Sequence, residues 1–285
     1  MSFQYLQPEN LPEARALIAQ YGDEAKIIAG GSALVLMIRQ NLIAPQVLVS
    51  LGKVQELNYE RDGAGDYELG AMLSLSDIVK SGRLKERYPG LHSACKEVGN
   101  VRVRNQATLG GNLAEADYAS DPPAMLLALD AVARVAGPSG WRSIPLADFS
   151  LGFYTTALEP DELLAGIAIP PLPEGARSTY LKYKSRSSED RPCVGVAAVA
   201  VFEEERCKGL RVAIGAACET PKRVASLESL GVGERLTDEL IDEIANGYAA
   251  NIDTLEDLRG SSWYRKEMIR VFVRRALKEV RDGDR

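Results

Sequence analysis

The sequence is poor in the side chains that most often carry acid–base and metal chemistry. It has one histidine, His92, and four cysteines, none of which is close enough to another to form a Cys-x-x-Cys pair. Iron–sulfur clusters and structural zinc sites usually need clustered thiolates. We therefore expect a chain that holds no metal of its own, with reduced, buried thiols at Cys95, Cys193, Cys207 and Cys218.

Long apolar runs and an excess of positive charge are also missing. The longest apolar run lies near residues 194–202, which is strand length and far short of the roughly 18 apolar residues of a transmembrane helix. The first residues, MSFQYLQPENLPEARALI, lack the basic start and apolar core of a signal peptide. The formal net charge of -6 disfavours a nucleic-acid partner. These features predict a cytoplasmic protein without a membrane span.

The remaining composition is that of a folded globular protein. Hydrophobic residues make up 46% and charged residues 26% of the 285 positions, so a sizeable core can form. A chain of this length favours two domains. The densest proline cluster, PPLPEG at residues 170–175, is typical of a linker and marks the boundary between predicted domains 1–174 and 175–285.

The two halves differ in the order of their predicted elements. Apolar spacing in the first half predicts strands at 26–29, 47–51, 68–72, 132–135 and 163–169 and helices at 11–21, 37–39, 74–80, 91–98 and 124–129. Asp121, before two prolines, is predicted to cap the last of these helices. The second half has strands first, at 180–184, 194–202 and 210–217, and then helices capped by Thr237 and by Ser261 or Ser262. This order is typical of a small α+β domain.

Two diglycine segments are the strongest functional signal. The first is IIAGGS at residues 27–32, where a predicted strand runs into a helix, and the second is ATLGGN at residues 107–112. Glycine has no Cβ and permits positive φ, so backbone N–H groups can converge on an anion such as a diphosphate. Ser32, Thr108 and Asn112 can add side-chain donors. Two such loops could close on one diphosphate, although each diglycine alone is also typical of a plain tight turn.

The spacing of these glycines does not match two common nucleotide-binding motifs. Neither segment has the G-x-G-x-x-G spacing of a Rossmann fold or the G-K-[ST] ending of a P-loop. A nicotinamide-binding or nucleoside-triphosphate-binding domain of those types is therefore not supported.

The two segments resemble the flavin motifs of a known family. AGGSALVLMIRQ, residues 29–40, is similar to the first flavin motif of the FAD-binding (medium) subunits of molybdenum hydroxylases, such as the carbon monoxide dehydrogenases. TLGGNLAEADYASDPPAMLLALDA, residues 108–131, resembles the second motif, including an acid nine residues after the Asn. The flavin domain of xanthine dehydrogenases has the same pair. The resemblance continues in YLKYKSRSSED, GLRVAIGAACETPKR and SSWYRKEMIRVFVRRAL, so it covers nearly the whole chain.

The resemblance implies an α+β fold and a role in electron transfer. It implies a two-part FAD-binding domain of the vanillyl-alcohol-oxidase/PCMH type, followed by a small α+β domain similar to the C-terminal domain of carbon monoxide dehydrogenase flavoproteins. The chain would carry FAD, while a large partner subunit holds a molybdenum cofactor and oxidises the substrate. A small partner subunit would hold [2Fe–2S] clusters, in a dimer of heterotrimers. Electrons would pass through FAD to an external acceptor such as NAD or a quinone.

The resemblance also assigns cofactor-binding positions, and it assigns no catalytic residue to this chain. The diphosphate would be wrapped by a first loop of Ile28, Ala29, Gly30, Gly31, Ser32, Ala33 and Leu34. The opposing loop would consist of Thr108, Gly110, Gly111 and Asn112. Asp121 would accept hydrogen bonds from flavin hydroxyls, Leu164 would pack on the flavin, and Lys182 would favour a negatively charged reduced isoalloxazine. By the residues alone, Asp121 is also typical of a plain helix cap and Lys182 of a solvated strand lysine.

The sequence departs from the family pattern at two places, and two other functions stay open. Ala33 stands where many relatives have Ser, Thr or Asp, and SSEDRPCVGVA follows Arg186 where many have an Asp-Ile-Ala type of sequence. One alternative is a self-contained flavoprotein oxidase or reductase, which would need its own substrate pocket and acid–base residue. The other is a scaffold in which both diglycines are only turns.

Overall fold

Short helices separate most strands in the first part of the computed structural model, which describes residues 3–187 and 189–283. Ser188, in the segment after Arg186, therefore lies outside the described residues, as do the outer ends of both predicted domains. The helices are α1 (Leu11–Tyr21), α2 (Leu34–Arg39), α3 (Leu75–Lys80), α4 (Gly82–Arg87), α5 (Pro89–Lys96), α6 (Val101–Gln106), α7 (Leu109–Glu115), α8 (Pro122–Ala128), α9 (Leu146–Phe149), α10 (Ala225–Gly231), α11 (Asp238–Asn251) and α12 (Ser262–Asp282).

The strands are short in the first part of the chain and longer in the second. They are β1 (Gln4–Leu6), β2 (Ala25–Ile28), β3 (Val47–Ser50), β4 (Glu60–Asp62), β5 (Tyr67–Gly70), β6 (Val132–Gly137), β7 (Gly140–Pro145), β8 (Ser150–Gly152), β9 (Thr155–Thr156), β10 (Leu163–Ile169), β11 (Ala176–Tyr183), β12 (Val194–Glu203), β13 (Arg206–Gly215) and β14 (Lys222–Arg223). Single 3₁₀ turns lie at Gly22–Glu24, Leu51–Lys53 and Gln55–Leu57.

The strands form separate sheets along the chain. A three-stranded parallel sheet has the order β1-β3-β2. A five-stranded antiparallel sheet has the order β4-β5-β10-β6-β7, and β8 pairs with β9 in a two-stranded sheet. The fourth sheet is antiparallel, has the order β11-β12-β13-β14 and belongs wholly to the C-terminal part. The division into domains 1–174 and 175–285 stays a prediction.

The apolar side chains pack into three cores. A first core lies between α1, the parallel sheet and one end of β10, and it contains Leu11, Ile18, Val49, Leu57 and Leu163. A central core joins the five-stranded sheet to the helices before β6 and contains Leu69, Leu91, Met125, Val135 and Val199. The C-terminal core packs α11 and α12 on the fourth sheet and contains Val196, Ile214, Ile244, Ile269 and Val273. Because strand side chains alternate between faces, β12 serves both the central and the C-terminal core.

Local capping chemistry explains several helix starts. The Asn10 side chain accepts a hydrogen bond from the backbone N–H of Glu13 at the start of α1. Thr237 caps α11, and Ser261 caps α12, as the sequence predicts. Asp121 precedes α8, but its side chain makes no cap hydrogen bond, so the predicted helix cap at this position is wrong. The physical reason is that its carboxylate is taken by partners elsewhere in the fold, described below.

The structure adds elements that the apolar pattern does not indicate. Strand β7 is mostly exposed and carries Trp141 and Arg142, so no buried alternating face identifies it. Helix α6 leads into the second diglycine segment and has no buried residue. It begins because the Asn100 side chain accepts hydrogen bonds from the backbone N–H groups of Arg102 and Val103. Within the described residues, none of the helices is both long enough and apolar enough to span a bilayer.

Candidate functional site

The two diglycine segments lie on the wall of one cavity of about 420 Å³. This volume is in the range of small-molecule sites. The loop between β2 and α2 provides residues 29–33, and the start of α7 provides Gly110, Gly111 and Asn112. Leu163 and Leu164 of β10 complete an apolar part of the wall. The central expectation of the sequence, that both segments face a shared cleft, therefore agrees with the geometry.

The first loop carries a run of unused backbone donors. It follows β2, which is held in parallel register by β3 up to the pairing of Ile28 with Ser50. Gly31 has φ 72, a left-handed conformation that glycine adopts without strain. The backbone N–H groups of residues 30–33 donate to no described residue, and all four residues line the cavity. A run of consecutive free amides in a turn is suited to binding an anion.

Glycine is also needed because the two loops approach each other closely. A Cβ on Gly30 would lie 1.6 Å from the carbonyl oxygen of Gln106, the residue immediately before the second segment. A Cβ on Gly111 would lie 3.6 Å from the Cβ of Ala29. The backbones of the loops therefore pack directly against each other, and a larger residue at Gly30 would push them apart.

The second loop uses its backbone donors inside the protein. The N–H of Gly110 donates to the carbonyl oxygen of Ala71 at 2.9 Å, and the N–H of Gly111 donates to Thr108 Oγ1 at 3.1 Å. This loop therefore differs from the expectation that both diglycines present free amides. Its remaining donors are in side chains, namely the Thr108 hydroxyl and the Asn112 amide nitrogen, because Asn112 Oδ1 accepts from Ser120 Oγ at 2.8 Å.

The cavity brings together most of the predicted cofactor-binding residues. Those on its wall are Ala29, Gly30, Gly31, Ser32, Ala33, Leu34, Thr108, Gly110, Gly111, Asn112 and Leu164. Three others are not on the wall. Ile28 lies beneath the first loop, where its Cδ1 atom is 3.3 Å from the Cβ position of Gly31. Asp121 and Lys182 lie together elsewhere.

Asp121 and Lys182 form a buried ion pair. Lys182 Nζ is 2.9 Å from Asp121 Oδ2, and the two side chains are 1% and 3% exposed, respectively. The Tyr180 hydroxyl donates to Asp121 Oδ1 at 2.7 Å, and Lys182 Nζ also donates to the carbonyl oxygen of Glu97 at 2.8 Å. Burial raises the pKa of the Asp121 carboxyl, and the Lys182 ammonium opposes that rise. Lys182 is therefore not a solvated strand lysine, and contact of either residue with a flavin stays a prediction.

Several further residues on the cavity wall are not among those that the sequence predicts, and of these Lys26, Glu115 and Tyr154 are polar. Glu115 ends α7, four residues after Gly111, so helical spacing could have placed it on the same face. Burial and the Asp117 carboxylate raise the pKa of Glu115 to about 7, while Arg191 lowers it. Tyr154 lies in the turn between β8 and β9 with φ 54, and no local sequence signal indicates that it reaches the cavity.

The cysteines agree with their predicted state. Cys95, Cys193, Cys207 and Cys218 are free and buried. Burial raises the pKa of each thiol, which keeps it protonated. Within residues 3–187 and 189–283, no group of three His, Cys, Asp or Glu side chains is arranged to hold a metal ion.

Comparisons with known proteins give the family. A family model described as the FAD binding domain in molybdopterin dehydrogenase matches residues 1–172. A second, described as the CO dehydrogenase flavoprotein C-terminal domain, matches residues 179–280. The glyceraldehyde dehydrogenase medium chain of Sulfolobus acidocaldarius is 32% identical over 278 residues, which is 98% of each chain. The carbon monoxide dehydrogenase medium chain of Hydrogenophaga pseudoflava is 32% identical over 275 residues, which is 96% of each chain.

The likeness extends to the three-dimensional structure. A solved structure of carbon monoxide dehydrogenase from Hydrogenophaga pseudoflava has a TM-score of 0.94 at 32% identity, covering 98% of this chain and 96% of that one. A structure of the Cu,Mo-CO dehydrogenase in its cyanide-inactivated form has a TM-score of 0.96 at 29% identity, covering 99% and 98%. The predicted α+β fold class is confirmed. The chain belongs to the FAD-binding medium subunits of the molybdenum hydroxylase family.

Proposed function

We propose that this chain binds FAD between its two diglycine loops and passes electrons through it to an external acceptor. The observation that carries the proposal is the run of free backbone N–H groups at residues 30–33, set against the second diglycine across one cavity. A diphosphate needs several donors at close range, and backbone amides provide them without bulky side chains. A plain pair of turns would not need four adjacent unused donors on a cavity wall.

The residues on the cavity wall fit the chemical parts of FAD. The amides of residues 30–33 would hold the diphosphate, with the Thr108 hydroxyl and the Asn112 side-chain amide as further donors. Leu34 and Leu164 would pack on apolar faces of the cofactor. Ala33 offers no side-chain hydrogen bond, so its contribution is limited to the backbone. Together with Ile28 beneath the loop, these are the binding residues that we propose.

Asp121 and Lys182 would act at the flavin end of the site. When bound, FAD exchanges single electrons with iron–sulfur clusters and electron pairs with an acceptor. A positive charge close to the flavin favours its negatively charged reduced form. Lys182 would supply that charge, and its ion pair with Asp121 would hold it in position. A carboxylate oxygen can accept more than one hydrogen bond, so Asp121 keeps capacity for a flavin hydroxyl.

The proposed assembly has a large molybdopterin subunit, a small iron–sulfur subunit and this chain, as a dimer of heterotrimers. Relatives named as medium chains or subunits of dehydrogenase complexes support the proposal, as does a relative whose structure lacks the Mo-pyranopterin moiety of its molybdenum cofactor. The substrate would be oxidised on the large subunit. NAD, a quinone or another carrier would be the acceptor, and the complex would work in the cytoplasm.

The proposal is tested on the chain purified together with its partner subunits. We expect heat or acid to release stoichiometric FAD, and we expect Gly111→Trp to lose FAD because an indole would fill the space against Thr108 and Ala29. Gly82→Trp is the matched control, since a Cβ at Gly82 meets no atom within 4 Å. Assembly is checked by size-exclusion chromatography. A wild-type complex without FAD, or a Gly111→Trp complex with full FAD and electron transfer, would refute the proposal.

A further inference from the structure

Glu115 lies on the cavity wall one helical turn beyond the second diglycine. It is the last residue of α7 and follows Gly111 by four positions, so both lie on the same face of the helix. Both residues line the cavity. Among the described residues on this wall, only Lys26 and Glu115 have acidic or basic side chains. A carboxyl group therefore stands beside the loop that we propose for a diphosphate.

Arg191, the cation that lowers the pKa of Glu115, is already paired with another carboxylate. Arg191 Nη2 lies 2.8 Å from Asp117 Oδ2. The Glu115 side chain makes no hydrogen bond or ion pair with residues 3–187 or 189–283. The Asp117 carboxylate repels a second negative charge at Glu115 more strongly than Arg191 attracts it. The group is thus left half-buried without a partner of its own.

The elements packed against α7 add no further cation at this position. Strand β10 has no ionisable side chain, and β9 consists of two threonines that follow Tyr154. Helix α8 follows Asp121, whose carboxylate is held by Lys182 and Tyr180. Lys26, on β2, is exposed and lines the same cavity. A half-buried carboxyl group with these neighbours is more easily kept neutral than charged.

We propose that Glu115 is a further FAD-binding residue that acts in its protonated form, donating its carboxyl hydrogen to an acceptor atom of the cofactor. The inference rests on the FAD site proposed above and adds a residue to it. An ionised Glu115 would be repelled by the diphosphate, whereas the neutral acid is a hydrogen-bond donor. FAD binding is therefore coupled to the uptake of a proton at Glu115.

This coupling sets the direction of the pH dependence. In the free protein the pKa of Glu115 is about 7, and a bound diphosphate raises it further. At lower pH the proton is already present, so FAD affinity does not change with pH. At higher pH the proton must be taken up on binding, so affinity falls by up to about tenfold for each pH unit until the pKa of the bound state is reached.

Calorimetric titration of the full chain with FAD tests the inference. Titrations at about pH 6 and at about pH 8 report the affinity for FAD. Repeating them in two buffers with different ionisation enthalpies reports the number of protons taken up on binding. We expect the wild type to take up a proton at the higher pH and to bind FAD more weakly there. Glu115→Gln keeps the shape and a donor but cannot ionise. We expect it to lose the proton uptake and to bind FAD equally well at both pH values.

Two further variants make the result unambiguous. Glu115→Ala also cannot ionise and should also lose the pH dependence, so the test does not rely on one substitution. Glu86→Gln, on the exposed surface of α4, should keep the wild-type dependence. If FAD binds but Glu115→Gln retains the wild-type proton uptake, only the role of Glu115 is overturned. If the wild type binds no FAD at either pH, the proposed function falls as well.

Discussion

At the scale of single residues, the pair of Asp121 and Lys182 shows how burial changes the energetic cost of a charged side chain. Each side chain alone would be costly in a nearly water-free position, and together they are tolerated because each neutralises the other. The Tyr180 hydroxyl also donates to Asp121, and Lys182 also donates to the carbonyl oxygen of Glu97. The pair also joins the start of α8 to β11. Lys182, whose charge we propose acts on the flavin, therefore also helps to hold these two elements together.

Removing one member of this pair should therefore be much worse than removing an exposed lysine. We expect Lys182→Met to lower the free energy of unfolding by about 3 kcal/mol, because Asp121 is left buried without a cation. The loss should grow as pH rises, since the unpaired Asp121 carboxyl has a raised pKa and must stay protonated to remain buried. Urea denaturation at about pH 5 and at about pH 8 measures this loss of stability and its dependence on pH.

The matched control is Lys184→Met. Lys184 pairs with Glu97, but both side chains are much more exposed, at 25% and 34%. We expect a change below about 1 kcal/mol for this surface pair. An equal effect of the two substitutions would contradict the importance of burial at Lys182. The double variant Asp121→Asn/Lys182→Met should recover part of the lost stability, since it removes both charges.

At the scale of elements, α12 is tied to the fourth sheet by one fully buried arginine. Arg265 Nη1 donates to the carbonyl oxygens of Cys193 at 2.5 Å and Ala216 at 2.6 Å. Its other terminal nitrogen pairs with Asp257, and the Arg265 side chain is 0% exposed. The planar guanidinium satisfies partners in several directions at once, which a single ammonium cannot do. The position of the longest helix therefore depends on a polar contact within an apolar core.

We expect Arg265→Lys to lower the free energy of unfolding by on the order of 3 kcal/mol, because buried acceptors lose their donors. Arg275→Lys on the same helix is the control, since Arg275 is exposed and should change stability by less than about 0.5 kcal/mol. Thermal unfolding followed by circular dichroism measures both. Equal melting temperatures for the two variants would show that Arg265 does not anchor the helix.

At the scale of the whole molecule, the central core crosses the predicted domain boundary at residues 170–175. Tyr180, Ala197, Val199 and Ala213 of the fourth sheet belong to the same cluster as Leu91 and Met125. The backbone N–H of Gly90 also donates to Ser178 Oγ at 3.1 Å. Apolar side chains on both sides of the linker are therefore buried against each other, so neither side can lose its partner without exposing apolar surface.

This shared core predicts that the chain unfolds as one cooperative unit. We expect differential scanning calorimetry of the full chain to show a single transition, and a fragment of residues 1–174 to lack a cooperative transition, because it exposes the face of α5 and α8 that packs on the fourth sheet. Amide hydrogen exchange of the fragment gives an independent measure. Native-like protection of α8 in the fragment would show that residues 1–174 fold independently, which would contradict the prediction.

The amino-acid sequence is enough to specify much of the local structure and to identify the two diglycine loops. The apolar pattern predicts strand β10 with its observed ends, because seven consecutive apolar residues suit a strand that is buried on both faces. Thr237 and Ser261 were recognisable as caps, because capping depends on residues only a few positions apart. The diglycine segments were recognisable because glycine is needed wherever a backbone must come unusually close to a ligand or another backbone.

The contacts that these residues make depend on the three-dimensional fold. The fold places the Ala71 carbonyl oxygen next to the Gly110 N–H. The backbone N–H groups of the second loop are therefore hydrogen-bonded within the protein, while those of the first loop are free. In the fold, Asp121 binds Lys182 and Tyr180 rather than the start of its own helix, and Glu115 and Tyr154 both reach the wall of the cavity. These partners are far apart along the chain, and their choice follows from which groups burial leaves together without water.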